Sequence, residues 1–156
     1  MKTAEKVITT NKKAFHDFHI LETFEAGIAL LGSEVKSCRQ NQVNLKDSYA
    51  RFKDGEIYLV GTHVSPYFYA HQLNHEPLRE RKLLFHKEEI KRLYGKMREK
   101  GGTMIPLKMY FKHGKVKVEM ALVKGKKDYD RREDIKRRDV EREMRKGMKE
   151  QRREGR

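Results

Sequence analysis

The clearest pattern of apolar and polar positions lies between Thr103 and Val123. Ile105, Leu107, Met109 and Phe111 alternate with other positions, and after His113-Gly114 the alternation resumes as Val116, Val118, Met120 and Leu122 against Lys115, Lys117 and Glu119. A period of two predicts strands, and the short break predicts a hairpin with one apolar face. Upstream, "SYARFKDGEIYLVGTHV" sets Asp54-Gly55 between two strand-like runs, a strong hairpin signal. "FHDFHILETFEAGIALL", Phe15 to Leu31, predicts two strands that meet in a tight turn at Glu25-Ala26-Gly27.

Helical signals are fewer. Ser33 is placed to cap a short helix over "SEVKSCRQ", with Glu34 in its first turn. Ile90, Leu93, Tyr94 and Met97 recur at helical spacing within Lys87 to Lys100, and Gly101-Gly102 stops that helix. Pro66 to Pro77 predicts a surface loop. About six strands and two helices imply a mainly β fold. The expected form is a small antiparallel, OB-like β-barrel with two or three flanking helices and a basic C-terminal tail.

The periodicity ends at Val123. "VKGKKDYDRREDIKRRDVEREMRK" is nearly all charge, and its larger apolar groups are too sparse for a core. Val140, Met144 and Met148 nonetheless fall at i, i+4 and i+8, and Glu133–Arg137, Asp134–Arg138 and Glu141–Arg145 are acid-before-base pairs four apart. This predicts a barrel over residues 1–123 and a latent helix within 124–156 that is disordered alone and orders against an anionic surface.

Composition supplies the partner class. The 37 Lys and Arg against 23 Asp and Glu give a net charge of +14, which favours a polyanion such as nucleic acid. A single Cys38 excludes an intramolecular disulfide, and "MKTAEKVITT" lacks the apolar run of a signal peptide, so a cytoplasmic protein is expected. No stretch is apolar for long enough to suggest a membrane partner.

Catalytic and cofactor chemistry finds little support. Lys124-Gly125-Lys126-Lys127 does not make a phosphate loop, because Met120 stands where the first glycine belongs and Lys127 where Ser or Thr would hold magnesium. His71 and His75 lack the further ligands of a zinc site. His16 and His19, beside Lys12 and Lys13, are three apart on an expected strand and would point to opposite faces, which disfavours a nuclease centre. No enzyme activity, metal or cofactor is expected. Phe15, Phe18, Phe24, Phe52 and Phe111 are assigned mostly to the core, and Tyr67, Phe68 and Tyr69 are the better candidates for stacking on bases.

The ordered series "NKKAFHDF", "FEAGIALLGSEVKSCR", "NLKDSYA", "DGEIYL", "PLRERKLLFHKEEI" and "KMYFKHGKVKVEMALVKGKKDYDRREDIKRR" resembles the SsrA-binding (SmpB) family from about Asn11 to the tail. The resemblance implies trans-translation, the rescue of bacterial ribosomes stalled on messages without a stop codon. Its implied partners are the tRNA-like domain of transfer-messenger RNA (tmRNA), the rRNA and messenger channel of the small ribosomal subunit, and elongation factor Tu indirectly through charged tmRNA. In this family the protein stands in for the missing anticodon arm and its tail enters the empty messenger channel.

Matched to the family's motifs, Asn11, Glu25, Leu84 and Lys117 fall at positions linked to RNA binding, joined by Lys12 and Lys13 of "NKK" and Lys126 and Lys127 of "GKK". Asn11 would donate and accept at a base or sugar edge, Lys117 would neutralise phosphate, Glu25 would accept from a base amino group or hold its turn, and Leu84 would pack. The ribosome-binding tail would comprise Gly125, Tyr129, Asp130, Arg131, Arg132, Ile135, Lys136, Arg137, Arg138, Val140 and Met144. Arg131 stands where Lys is common, and Tyr129 where some members carry His. The alternative reading is a general RNA-binding or ribosome-associated structural protein without a rescue role.

Overall fold

In the computed structural model, which describes residues 5–126 and 139–146 apart from the side chain of His71, the elements follow one another in this order. They are β1 (Lys6–Thr10), α1 (Lys12–Asp17), β2 (Phe18–Ile28), α2 (Gly32–Arg39), β3 (Val43–Asn44), β4 (Tyr49–Lys53), β5 (Glu56–Val60), β6 (His63–Val64), a 3-10 turn (Phe68–Leu73), β7 (Arg81–Leu84), α3 (Lys87–Lys100), β8 (Thr103–Lys112) and β9 (Lys115–Gly125). The chain divides into two units, Met1–Lys124 and Gly125–Arg156. Within the second, residues 139–146 are helical.

Both expected hairpins form. Asp54 (φ 52°) and Gly55 (φ 76°) turn β4 into β5, and His113 (φ 52°) and Gly114 (φ 73°) turn β8 into β9. Two successive left-handed residues match the twist of the flanking strands. The main sheet has the order β1-β8-β9-β2-β7-β5-β4, with β3 and β6 paired separately. It is mainly β and antiparallel, as expected, and three helices accompany it. No hydrogen-bonded ladder among the described residues joins β4 to β1, so the pairing itself is open.

The segment 15–31 departs from expectation. It holds the end of α1 and one continuous strand, β2, in place of two strands and a turn. Gly27 is an interior strand position paired with Leu84. A Cβ there would lie 3.2–3.3 Å from Leu84 side-chain atoms, so the glycine serves the close approach of a neighbouring strand. His16 and His19 consequently occupy different elements, α1 and β2, and do not share a strand.

The β8–β9 hairpin also differs in detail. A register shift between Pro106 and Lys108 makes Leu107 the additional residue of a bulge. Proline has no N–H for the ladder, which favours a bulge at this place. Beyond it the faces exchange. Met104, Met109, Val118, Met120 and Leu122 enter the main core with Ile57, Leu59, Leu83, Ile90 and Leu93. Ile105 and Leu107 instead join Ala14, Ala121 and Val123 in a smaller cluster, with Phe18 packed against it. The hairpin is therefore apolar on both faces near its open end, where α1 covers it.

Ser33 does not cap α2; its hydroxyl bonds His75 Nδ1 at 2.8 Å. Glu34 Oε1 accepts the Leu31 N–H at 2.8 Å, satisfying a donor of the first turn. Glu34 also accepts from Arg79 Nη2 and from Arg81 Nε. Arg81 Nη1 donates to Thr62 O at 2.8 Å and Nη2 to Pro77 O at 3.1 Å. Burial alone would raise the Glu34 carboxyl, but the bonds from Arg79, the Leu31 N–H and Arg81 outweigh it and hold it below the usual carboxylate range.

Removing one member of a buried ion pair strands the other's charge, so Glu34→Gln is expected to lower the unfolding free energy by about 3–5 kcal/mol. Because the folded-state pKa is depressed, the stabilisation from Glu34 is present above the unfolded value of about 4.3 and is lost as pH falls through the folded one. Urea unfolding at a series of acidic pH values should therefore show a shallower loss of stability in Glu34→Gln than in the wild type.

Candidate nucleic-acid interface

The residues matched to RNA binding come together at one place and separate at another. Along β8 and β9 the cross-strand pairs Lys108–Glu119, Tyr110–Lys117 and Lys112–Lys115 share the face opposite the main core. β2 lies on the other side of β9, and Glu25 projects from it to reach across. Its carboxylate accepts a 2.5 Å hydrogen bond from the Tyr110 hydroxyl and lies 3.2 Å from Lys112 Nζ. The Tyr110 bond, then Lys112 and the charge of Lys117, keep the Glu25 carboxyl below the usual range despite some burial.

Glu25 is thus not a turn residue. It sits in the middle of a strand and bridges over the row occupied by Lys117. Burial and the Glu25 carboxylate together push the Tyr110 hydroxyl far up, so it stays protonated and remains the donor. At 3% exposure, with Lys108 Nζ 5.1 Å from its ring centroid, Tyr110 is covered and presents no free stacking face.

Leu84 is 54% exposed and lies over Gly27. Together with Leu30, Val35, Lys115 and Lys117 it lines an open groove of about 380 Å³ with an apolar floor and a cationic wall. Three strands, β2, β7 and β9, thereby bring Glu25, Leu84 and Lys117 into one neighbourhood. An apolar floor offers contact to a base or sugar, and Lys115 and Lys117 offer charge to phosphate.

Asn11, Lys12 and Lys13 are elsewhere. Asn11 is buried and its Nδ2 donates to Pro106 O at 3.0 Å, while its N–H donates to Leu107 O at 2.7 Å, so it fastens α1 to the β8 bulge. Lys12 is exposed, and Lys13 Nζ lies 3.4 Å from Asp47 Oδ1. Asn11 and Lys13 line a second concavity with Asp17, Phe18 and Tyr49. Of the phenylalanines assigned to the core, Phe24, Phe52 and Phe111 pack against the main cluster and Phe18 against the smaller one, but Phe15 is 44% exposed. Phe68 and Tyr69 are strongly exposed, and Tyr67 lies beneath Lys36 Nζ.

Val140 and Met144 are exposed residues of the helix over 139–146. Gly125 ends β9 and Lys126 follows it. Lys127, Tyr129, Asp130, Arg131, Arg132, Ile135, Lys136, Arg137 and Arg138 lie outside the described residues, as does the side chain of His71. Among the described residues no cluster of His, Cys, Asp and Glu could hold a metal ion, and no helix is long and apolar enough to cross a membrane. Sequence reasoning missed Tyr110 and Lys112. The signal was available, since both alternate in register with Lys108 on the non-core side of β8.

Comparison with known proteins places this arrangement in context. A family model described as SmpB protein matches residues 8–150. The chain is 62% identical over 144 residues to the SsrA-binding protein of Syntrophobacter fumaroxidans, covering 91% of this chain and 89% of that one. It is 59% identical over 143 residues to the SsrA-binding protein of Symbiobacterium thermophilum, covering 91% and 90%. A solved structure described as "tmRNA-SmpB: a journey to the center of the bacterial ribosome" contains a chain 50% identical to this one, with a TM-score of 0.65, covering 77% of this chain and 85% of that chain.

The geometry around Glu25 is directly testable. Tyr110→Phe removes the leading hydrogen bond to its carboxylate, so the Glu25 pKa is expected to rise toward the ordinary value while the fold is retained. A side-chain carboxyl titration by NMR measures it; an unchanged midpoint would mean that Lys112 and Lys117 alone hold the charge.

Proposed function

Because the chain belongs to the SmpB family of SsrA-binding proteins, we propose that it binds the tRNA-like domain of tmRNA and serves the rescue of stalled ribosomes by trans-translation. The observation that carries this reading is the meeting of Leu84 and Lys117 on one basic, apolar-floored groove, with the Glu25 carboxylate within electrostatic reach of Lys117. The antiparallel sheet acts as an OB-like platform. Lys115 and Lys117 neutralise phosphate, Leu84 supports a base or sugar, and Glu25, fixed by Tyr110, accepts from a base amino group. A carboxylate beside RNA is unfavourable unless it makes specific hydrogen bonds, so Glu25 contributes selectivity.

Asn11 acts by holding α1 and the exposed Lys12 and Lys13 against β8. Lys126 and Lys127 continue the phosphate contacts into residues 124–156, which form the separate tail. Gly125, Tyr129, Asp130, Arg131 and Arg132 lead that tail toward the small subunit. Ile135, Lys136, Arg137, Arg138, Val140 and Met144 supply the contact stripe and cations of a helix in the vacant messenger channel. Elongation factor Tu takes part only through the charged tmRNA, and the protein itself performs no chemistry.

Lys117→Gln is expected to lower the slope of log affinity against log salt by about 0.7–0.9 for a transcript of the tRNA-like domain, the loss of one phosphate contact. Glu25→Ala should leave affinity for unrelated structured RNA unchanged and reduce the preference for the tRNA-like domain. Equal preference in both proteins at matched thermal stability would sink the assigned role of Glu25.

Removal of Asp128 to Arg156 should leave the body folded, because among the described residues both apolar clusters end at or before Val123. RNA binding should largely survive, and transfer of alanine from charged tmRNA on ribosomes with an empty A site should fail. Ile135, Val140 and Met144 all changed to Asp should reproduce that failure. Wild-type transfer by the truncated protein would overturn the channel mechanism.

A further inference from the structure

A cleft between α3 and the β4–β5 hairpin, about 670 Å³ in volume, takes no part in the groove described above. Its floor is Phe52, Ile90 and Tyr94, and its rim carries Lys53 from the hairpin and Lys87 and Lys91 from the helix. Phe52 and Tyr94 meet edge to face, with centroids 5.4 Å apart, which steadies a Tyr94 ring that is still 44% exposed. Lys87, Lys91, Tyr94 and Arg98 follow at i, i+4, i+7 and i+11, so they form one stripe along α3, with the Arg98 guanidinium 5.7 Å from the Tyr94 ring centroid.

The charge balance of the cleft favours an anion. Lys53, Lys87 and Lys91 are exposed, and among the described residues none of them pairs with a carboxylate. Of the two acids in the lining, Glu56 is engaged by Lys82 at 3.5 Å, leaving Asp54 at the hairpin tip. Glu88 and Glu89 line a separate depression with Arg92. Lysines four residues apart, about 6 Å along the helix axis, suit consecutive phosphates, and the exposed aromatic one turn further on suits a base.

We propose that this cleft is a second RNA site, which seats an unstacked base on Tyr94 and Phe52 while Lys53, Lys87 and Lys91 hold the flanking phosphates. It rests on the reading of the protein as RNA-binding, but not on the groove at Leu84 and Lys117. An acidic peptide would use the same lysines and gain nothing from the aromatic floor beyond burial, so single-stranded RNA is the better-matched occupant.

The test uses the full chain and a decauridylate carrying one 5-iodouridine. Irradiation is expected to cross-link Tyr94, located by mass spectrometry. The double variant Lys87→Gln/Lys91→Gln should lose most of that cross-link and lower the salt slope for decauridylate by about 1.4, two contacts on a single strand. Tyr94→Leu should weaken binding roughly fivefold or more with the slope unchanged. Lys53→Gln, on the exposed hairpin, should reduce the cross-link without touching the helix, which guards against misfolding of the double variant. Lys117→Gln should spare the Tyr94 cross-link while weakening binding of the tRNA-like domain. Cross-links confined to other residues overturn the proposal, as does capture of a decaglutamate peptide through Lys87 and Lys91 with no such dependence for decauridylate. A wild-type protein that shows no preference for the tRNA-like domain alongside an intact Tyr94 cross-link would instead count against the proposed function alone.

Discussion

Glu34 and Arg81 have no solvent exposure, and much of the body is arranged so that this carboxylate and guanidinium can exist there. Glu34 comes from the first turn of α2 and Arg81 from the start of β7. Burial of such groups is costly unless every donor and acceptor finds a partner. Here the remaining capacity of Arg81 is spent on the carbonyls of Thr62 and Pro77, and that of Glu34 on Arg79 and the Leu31 N–H. The chain between Thr62 and Arg81 is thus tied down at both ends. His75 adds to this by bonding Ser33 and Val64 O, and Asn74 closes its own loop by bonding Tyr67 N and O.

The consequence reaches the outside of the sheet. β7 lies between β2 and β5, so fixing Arg81 also fixes Leu84 three residues along, opposite Gly27. A side chain at Gly27 would push Leu84 back by a few tenths of an ångström, and the two residues line the groove beside Lys117. The polar face of β8 and β9 is ordered in the same spirit. Glu25, Tyr110 and Lys112 hold one another, so this polar face is already organised in the free protein.

The two ends of the chain's chemistry follow different rules. Up to Val123 apolar burial dictates position, and charged residues are confined to the surface or paired. Beyond it the sequence carries too few apolar residues to close a core, and in the described helix over 139–146 Val140 and Met144 are exposed.

The β4–β5 and β8–β9 hairpins and α3 were legible in the sequence because their signals are local. They rest on left-handed turn residues, period-two or helical spacing, and a glycine stop at Gly101. The two-residue strands β3 and β6 are too short to display a period, and β1 forms against β8, about a hundred positions along the chain, with no turn signal beside it. For the same reason Glu25-Ala26-Gly27 looked like a turn. Its glycine answers to Leu84, 57 positions away, which no local reading can detect. The sequence by itself determined the residue classes, basic and aromatic on a β framework, and their resemblance to one family's motifs. Tertiary structure alone decided that Asn11 is an internal fastener, that Tyr110 governs Glu25, and that Leu84 and Lys117 share a groove, because each depends on contacts between strands far apart in sequence whose register only the folded core sets.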